Sequence, residues 1–523
     1  MEDAKTIGNI MAKNASMQLM GRVLYLMTRV VMPPLTLHFV GLDEYGIWAA
    51  SFILVSYLGM STFGVSSVYT RYVADYRARG DLDGIGALIS TGLTLTLTLT
   101  AVLLTAVWFA MPWLLLLFGV PNDLHEVARL VFFGTAAIMM ADLSVGAFAY
   151  VLHGLHLMWQ NTLVWIASFL LETVLAIILL FQGFGILSLL IAFGVRYAFA
   201  IVIQAVLCLR ALPEVQIRIG RISGKHLRLL LGFGGVMQLV GLVSTVLYSI
   251  EKVLAGRLLG VASVGVLDLA QKFPVLASQT FSSITVASLP ALSHLYAGGK
   301  RQEAAALYVR AARWNSLLVA LPLGFLASFA EPIMRAWLGS EQGLGDTPLL
   351  LLIAAVGYQI HTLTGPASAV HQAVERPTRQ FLYVGLQTVL CAVGLIWVWQ
   401  VWGWSLIAIA LAVGAARVIS SLVYGIYTER LIGVSIANYP LRVVLPGALP
   451  YLVGWLGYQL TGGGLTGLYA DRWLLLPALG PVGLVYCPAV TRVHLPLLDA
   501  KDRRAVAERL PKRVRMSLAR RGA

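Results

Sequence analysis

The sequence predicts an all-α integral membrane protein of about 14 transmembrane helices, and three observations predict it. Of 523 residues, 59% are hydrophobic and only 12% charged, against about a quarter charged in a soluble domain. The apolar residues gather into stretches near the roughly 20 residues that a helix needs to cross a hydrocarbon core of about 30 Å. Lys and Arg crowd every second gap between them, as in cytoplasmic loops. Lipid offers no partner to backbone N–H and C=O groups, so such stretches become helices.

In chain order the expected spans are 14–39, 46–69, 85–111, 126–150, 160–181, 186–208, 229–255, 262–289, 314–336, 348–371, 380–401, 404–427, 443–461 and 473–491. The first carries Asn14, Gln18, Arg22, Tyr25 and Arg29, whose helical spacing puts them within roughly 80° of arc. Pro33-Pro34 is expected to break that helix. The third holds Thr94, Thr96, Thr98 and Thr100, which alternate like a strand. The apolar stretch around them is long enough to span, so it stays helical, its hydroxyls turned back on carbonyls. The fourth contains Asp142 and ends at His153 and His156, read as solvated interfacial histidines, with a proton or metal role as the alternative. Spans five and six form a hairpin about a turn near 184. Glu172 and Arg196 lie equally far from it and reach similar depth, as a structural ion pair or, alternatively, with Glu172 coupling transport to protons. The seventh carries Gln238, Thr245, Tyr248 and Lys252, with Lys252 placed to snorkel outward. The eighth carries Asp268, Lys272, Gln279 and Ser282, with a kink at Pro274 and an i,i+4 pairing of Asp268 with Lys272.

Orientation follows from charge. Of the 38 Lys and Arg, 28 fall in the amino terminus, the even-numbered loops and the tail. Four, Arg129, Arg257, Arg335 and Arg472, lie near the other face, and Arg22, Arg29, Arg196, Lys252, Lys272 and Arg417 lie inside spans. This split places both ends in the cytoplasm. The longest outer loops, 337–347 and 462–472, leave no room for an extracytoplasmic domain. An Arg at a helix centre costs about 2.5–3.5 kcal/mol on insertion scales. Two on one face of span 1 therefore need water, protein or an anion beside them. The intramembrane anions are Asp142, Glu172, Glu251 and Asp268, so the interior is net cationic and suits an anionic group. Buried polar residues acting as helix–helix glue are the other reading of these stripes.

A repeat runs at an offset of 219. Gly41 to Ile47 resembles Gly260 to Val266, and Gly80 falls on Gly299. This lays spans 1–6 over 7–12 as parallel repeats. The expected organisation is 1–210 and 211–428 as six-helix lobes, 429–491 as two extra helices and 492–523 as a basic tail on anionic lipid. No phosphate loop, zinc-protease or dinucleotide motif survives inspection, and Cys208, Cys391 and Cys487 form no metal spacing. The chain is expected to be no enzyme, to need no cofactor or metal and to bind no nucleic acid.

Several motifs carry a family resemblance. They are Gly41-Leu-Asp-Glu-Tyr-Gly-Ile-Trp48, the stretch from Ser66 through Tyr72 to Asp81, Tyr248-Ser-Ile-Glu251-Lys252, Ala255 to Gly260, Leu289-Pro290-Ala-Leu-Ser293 and Ala336-Trp-Leu-Gly339. In this order they resemble the polysaccharide (O-antigen) flippases of the multidrug/oligosaccharidyl-lipid/polysaccharide exporter superfamily, over about residues 10–340. Members commonly have Asp where Glu251 stands. The resemblance implies two six-helix lobes around a central cavity that opens alternately to each side of a bacterial or archaeal cytoplasmic membrane. It implies a lipid-linked oligosaccharide on isoprenoid pyrophosphate as substrate, with polysaccharide polymerase or glycosyltransferase machinery as candidate partners. Arg22 and Arg29, then Lys272, are the expected pyrophosphate contacts, beside Asn14, Gln18 and Tyr25. Glu172, Arg196, Glu251 and Asp268 are assigned to ion coupling or structural ion pairs. The competing functions are a cation-coupled multidrug antiporter, whose cavity should be acidic, and a membrane-embedded glycan polymerase or ligase, which should carry a large outer loop.

Overall fold

The computed structural model describes residues 2–60, 65–232, 235–281, 283–339, 345–434, 439–469 and 471–494. Among them are twenty α-helices and no strand. They are α1 (Glu2–Phe39), α2 (Leu42–Gly59), α3 (Val65–Ala78), α4 (Leu82–Leu117), α5 (His125–Ser144), α6 (Phe148–Gly154), α7 (Met158–Phe181), α8 (Leu187–Ala211), α9 (Gly224–Gly232) and α10 (Gly235–Leu259). There follow α11 (Val261–Phe281), α12 (Ser283–Ala297), α13 (Arg301–Ser328), α14 (Ala330–Leu338), α15 (Thr347–His361), α16 (Thr364–Ala373), α17 (Gln380–Val401), α18 (Leu406–Leu431), α19 (Leu445–Thr466) and α20 (Arg472–His494).

Ten stretches of these helices are long and apolar enough to cross a membrane, or eleven if α13 and α14, bent by 76°, count as one span. The chain is a multi-pass membrane protein. Only 17% of the apolar window of α4 or of α20 is buried. Trp108, Phe109 and Trp113 on α4 and Leu484 and Val485 on α20 point outward, which suits lipid and not water. The helices α1, α2 and α10 are not among the ten; α1 and α10 carry the polar stripes.

Two expectations about α1 and α4 are corrected. The first helix continues through Pro33 and Pro34 to Phe39. Each proline removes an N–H rung and crowds the carbonyl one turn back, and membrane helices tolerate this where neighbouring groups re-satisfy the freed backbone. Thr94, Thr96 and Thr98 do bond back to the carbonyls of Ser90, Gly92 and Thr94 at 2.8, 2.9 and 2.8 Å. Thr100 instead donates across to Met140 of α5 at 3.3 Å.

The chain forms two compact units, residues 1–269 with 398–409 and residues 270–397 with 410–523. The first packs α1 on α7, α2 on α5, and α7 on α8. Its apolar core runs through Val68, Tyr69, Ile85, Leu88, Val151 and Leu152. The second packs α13 on α15 and α19, and α12 on α16, around cores that include Leu292, Tyr308 and Val370, and Val319, Leu323 and Ala355.

The 219-residue repeat is physical. Helices α2 and α3 begin and end at Leu42 and Ala78, and α11 and α12 at Val261 and Ala297, each the same offset on. The connecting turns match bond for bond. Asp81 N donates to Tyr76 O at 2.9 Å, as Lys300 N donates to Leu295 O at 2.9 Å. Gly80 and Gly299 take φ of 70° and 71°, the left-handed helix end that glycine adopts without penalty. Within the first unit the two copies touch reciprocally. A Cβ on Gly46 would lie 2.0 Å from the carbonyl oxygen of Val261, and one on Gly265 would lie 3.2 Å from that of Leu42. Such a swap of partners is the mark of a two-fold-like contact. The Gly256–Gly260 spacing works internally too, with Gly256 against Phe118 and Gly119 after α4.

Candidate functional site

The polar face of α1 meets α7. Gly21 brings the helices close, since a Cβ there would sit 3.2 Å from Ile166 and Trp165. One turn on, Tyr25 stacks edge-on against Phe169 at 5.4 Å. Next on the stripe, Arg29 lies over Tyr25 and Phe169, its guanidinium carbon 5.1 and 5.9 Å from the ring centres. Its buried Nε meets no hydrogen-bond acceptor among the described residues. Arg22, on the same face, is exposed. The side chains of Asn14 and Gln18 lie outside the described residues.

Phe169 also carries a second guanidinium. Arg196 of α8 stands 4.3 Å from its ring centre and 4.8 Å from that of Tyr197. Its Nη1 donates to Glu172 Oε2 at 2.8 Å, with side-chain exposures of 8% and 17%. The hairpin that aligns them turns on Gly183 and Gly185, both at positive φ. Arg29 is within electrostatic reach of Glu172, Tyr197 and Tyr45, and Arg196 of Asp142.

Tyr45 leads to a second knot. Its hydroxyl donates to Asp268 Oδ2 at 2.9 Å, and Lys252 Nζ donates to Asp268 Oδ1 at 2.9 Å. Thus α2, α10 and α11 are tied at one carboxylate. Lys252 does not snorkel outward, because Asp268 within reach replaces the water it would otherwise seek. The partners that hold Asp268 here are Lys252 and Tyr45, beyond the expected Lys272. Lys272 is half-buried one turn further along α11, and Glu251 is buried on α10. Tyr57 and Ser249 share a hydrogen bond that adds a second tie between α2 and α10.

The first unit therefore gathers Tyr25, Arg29, Glu172 and Arg196 with Tyr45, Lys252 and Asp268. Each carboxylate has its own cation, Glu172 with Arg196 and Asp268 with Lys252. Arg29 has no carboxylate at ion-pair distance among the described residues. It is a half-buried cation held against the rings of Tyr25 and Phe169. Sequence reasoning missed Tyr45, Phe169 and Tyr197. Tyr45 stood inside the repeated Gly41–Ile47 motif, where its departure from Val264 at the same offset was a signal. Among the described residues no three His, Cys, Asp or Glu side chains gather as a metal site would need.

A family model described as polysaccharide biosynthesis protein matches residues 11–296. The uncharacterized membrane protein EpsK of Bacillus subtilis (strain 168) is 24% identical over 354 residues, 67% of this chain and 69% of its own length. Among solved structures, the lipid II flippase MurJ in an inward closed conformation aligns with a TM-score of 0.69 at 14% identity, over 92% of this chain and 98% of that one. The inward-facing conformation of a multidrug resistance MATE family transporter of the MOP superfamily aligns at 0.65 and 15%, over 79% and 98%. At these identities the likeness is one of fold.

Proposed function

The chain belongs to the polysaccharide biosynthesis protein family, and we propose that it flips a lipid-linked oligosaccharide, carried on isoprenoid pyrophosphate, from the cytoplasmic to the outer leaflet. The observation that carries this reading is Arg29, a cation with no carboxylate at ion-pair distance among the described residues, beside Arg196 and Lys252, which are paired. A pyrophosphate presents several charged oxygens, and guanidinium–phosphate bonds are charge-assisted. Arg22 on the same face gives a second contact, with Asn14, Gln18 and Tyr25 as further substrate-binding residues of the cavity. Lys272 extends the cationic path along α11. The Arg196–Glu172 and Lys252–Asp268 pairs hold the helices that carry these groups and are where ion coupling would act.

In this reading fourteen helices cross a bacterial or archaeal cytoplasmic membrane with both ends inside. Residues 1–210 and 211–428 act as the two lobes of an alternating-access transporter. Residues 429–491 add two helices, and the tail 492–523 rests on anionic lipid or meets polymerase and glycosyltransferase partners. No motif for nucleotide hydrolysis is encoded, so an ion gradient, the membrane potential or consumption of product supplies the drive.

Binding tests the site. The purified protein is expected to bind a short-chain prenyl pyrophosphate more tightly than the matching prenyl alcohol. Arg22→Ala with Arg29→Ala should remove that difference while the protein stays folded. Equal binding of the two ligands by the wild type would sink the cationic site.

A further inference from the structure

The turn between α4 and α5 frames a cationic cavity that the transport reading does not use. This turn is fastened to the end of α10. Val261 N donates to Gly119 O at 3.3 Å, and Gly119 lies too close to the carbonyl of Gly256 to carry a Cβ. The packing brings Arg257 and Arg129, remote in sequence, onto one cavity of about 420 Å³. His125, Asn122, Pro112 and Leu116 also line it, and all of these residues belong to the first unit. His125 Nε2 lies 3.1 Å from Val120 O. A carbonyl only accepts, so that nitrogen donates and holds the ring in the wall. No Asp or Glu lines the cavity. Asp123 and Glu126, close in sequence, are exposed and lie outside the lining.

Four arginines lie near the face opposite the basic loops, and they divide by unit. In the second unit, Arg335 donates to Glu331 at 3.0 Å and lies 4.7 Å from the ring centre of Tyr469. Arg472 lies 4.9 Å from the ring centre of Trp473. Among the described residues, Arg129 and Arg257 have neither a carboxylate at ion-pair distance nor a ring beneath them. Two guanidiniums on one cavity repel each other, and an anion between them turns repulsion into attraction.

The helices that frame the cavity continue inward as an apolar face. A spacing of four puts Trp108 one turn below Pro112 on α4, and Phe133 one turn below Arg129 on α5. The two rings meet edge-on, their centres 5.5 Å apart, and Trp108 is 63% exposed. Charge at the boundary with aromatic surface beneath it matches a molecule with an anionic head and an apolar chain.

We infer that this cavity binds the phosphate of an anionic phospholipid, with one of its chains lying along Trp108 and Phe133. Free phosphate offers the same oxygens without the chain. A choline head adds a cation for which the cavity has no carboxylate. The inference stands apart from the transport reading, since it uses none of the residues assigned to the substrate.

Native mass spectrometry of the full-length, delipidated protein tests it, with phosphatidylglycerol, phosphatidylcholine or inorganic phosphate added. The wild type is expected to prefer phosphatidylglycerol to phosphatidylcholine, and inorganic phosphate should not displace the lipid. Arg129→Gln with Arg257→Gln should lower phosphatidylglycerol binding about tenfold. Arg335→Gln with Arg472→Gln removes the same charge from the same face and should leave that binding unchanged. Trp108→Ala should lower it, because the chain loses its ring. If a double variant fails to fold, Arg257→Gln alone against Arg472→Gln alone, both at exposed positions, makes the same comparison. An equal loss from both arginine pairs would reduce the effect to net charge and overturn the inference. So would phosphatidylcholine bound as well as phosphatidylglycerol, phosphate that displaces the lipid, or a Trp108→Ala variant that binds as the wild type does.

Discussion

At the scale of single residues, Glu172 and Asp268 each hold a cation, Arg196 and Lys252, while Arg29 has no carboxylate at ion-pair distance among the described residues. Arg196 and Glu172 are both largely buried, so removing one partner strands the other in a low-dielectric layer. Arg196→Ala is expected to cost about 3 kcal/mol, read by unfolding in mixed micelles. Arg196→Gln combined with Glu172→Gln should cost less than Arg196→Ala, because no charge is left alone. A double variant worse than the single one would mean the pair is not the unit of stability. Of this constellation, the stripe on span 1 and the depth match of Glu172 with Arg196 were legible in the sequence, because helical period and hairpin symmetry suffice. The Tyr45–Asp268–Lys252 knot was not. There α2 meets α10 and α11 across a separation of 223 residues from Tyr45 to Asp268, and neither period nor spacing encodes such a meeting.

At the scale of elements, the repeat explains why small residues sit where they do. Gly46→Ala drives a methyl into the Val261 carbonyl, and backbone cannot swing aside as a side chain can. Loss of folded protein on size exclusion is expected for Gly46→Ala. A smaller loss is expected for Gly265→Ala, whose contacts at 3.2 Å leave room to adjust. The short α9, ahead of the seventh expected span, adds a pH-dependent term. His226 is buried and shares a hydrogen bond with Tyr76 at 3.1 Å. Burial, then the neighbouring Lys225 charge, push its pKa below the ordinary value, against a smaller pull from Asp81. A depressed histidine favours the fold above the unfolded pKa of about 6.5 and loses that contribution as pH falls below it. The unfolding midpoint should drop on acidification from about pH 7.5 to about 5.5. In His226→Gln the drop should be smaller. An equal drop in both would assign the acid sensitivity to other groups. The contact between His226 and Tyr76 was not legible in the sequence, because the two residues lie 150 positions apart.

At the scale of the whole molecule, hydropathy and charge placement carry the class, and the order of short motifs carries the family. In eight of the ten apolar windows less than half of the residues are buried, so lipid is the solvent that completes the fold. The first helix shows where hydropathy alone gives out: expected as a span at 14–39, it is not among the ten helices long and apolar enough to cross a membrane, and its polarity is what the proposed site uses. The proline pair shows the converse, since a sequence rule for soluble helices predicted a break that α1 does not have. The most direct measurement is leaflet translocation of a fluorescent isoprenoid-pyrophosphate oligosaccharide in liposomes holding the pure protein, beside the Arg22→Ala, Arg29→Ala variant. The account predicts protein-dependent flipping that the variant loses while remaining folded. Flipping by the variant at the wild-type rate, or none by a folded wild type, would contradict it.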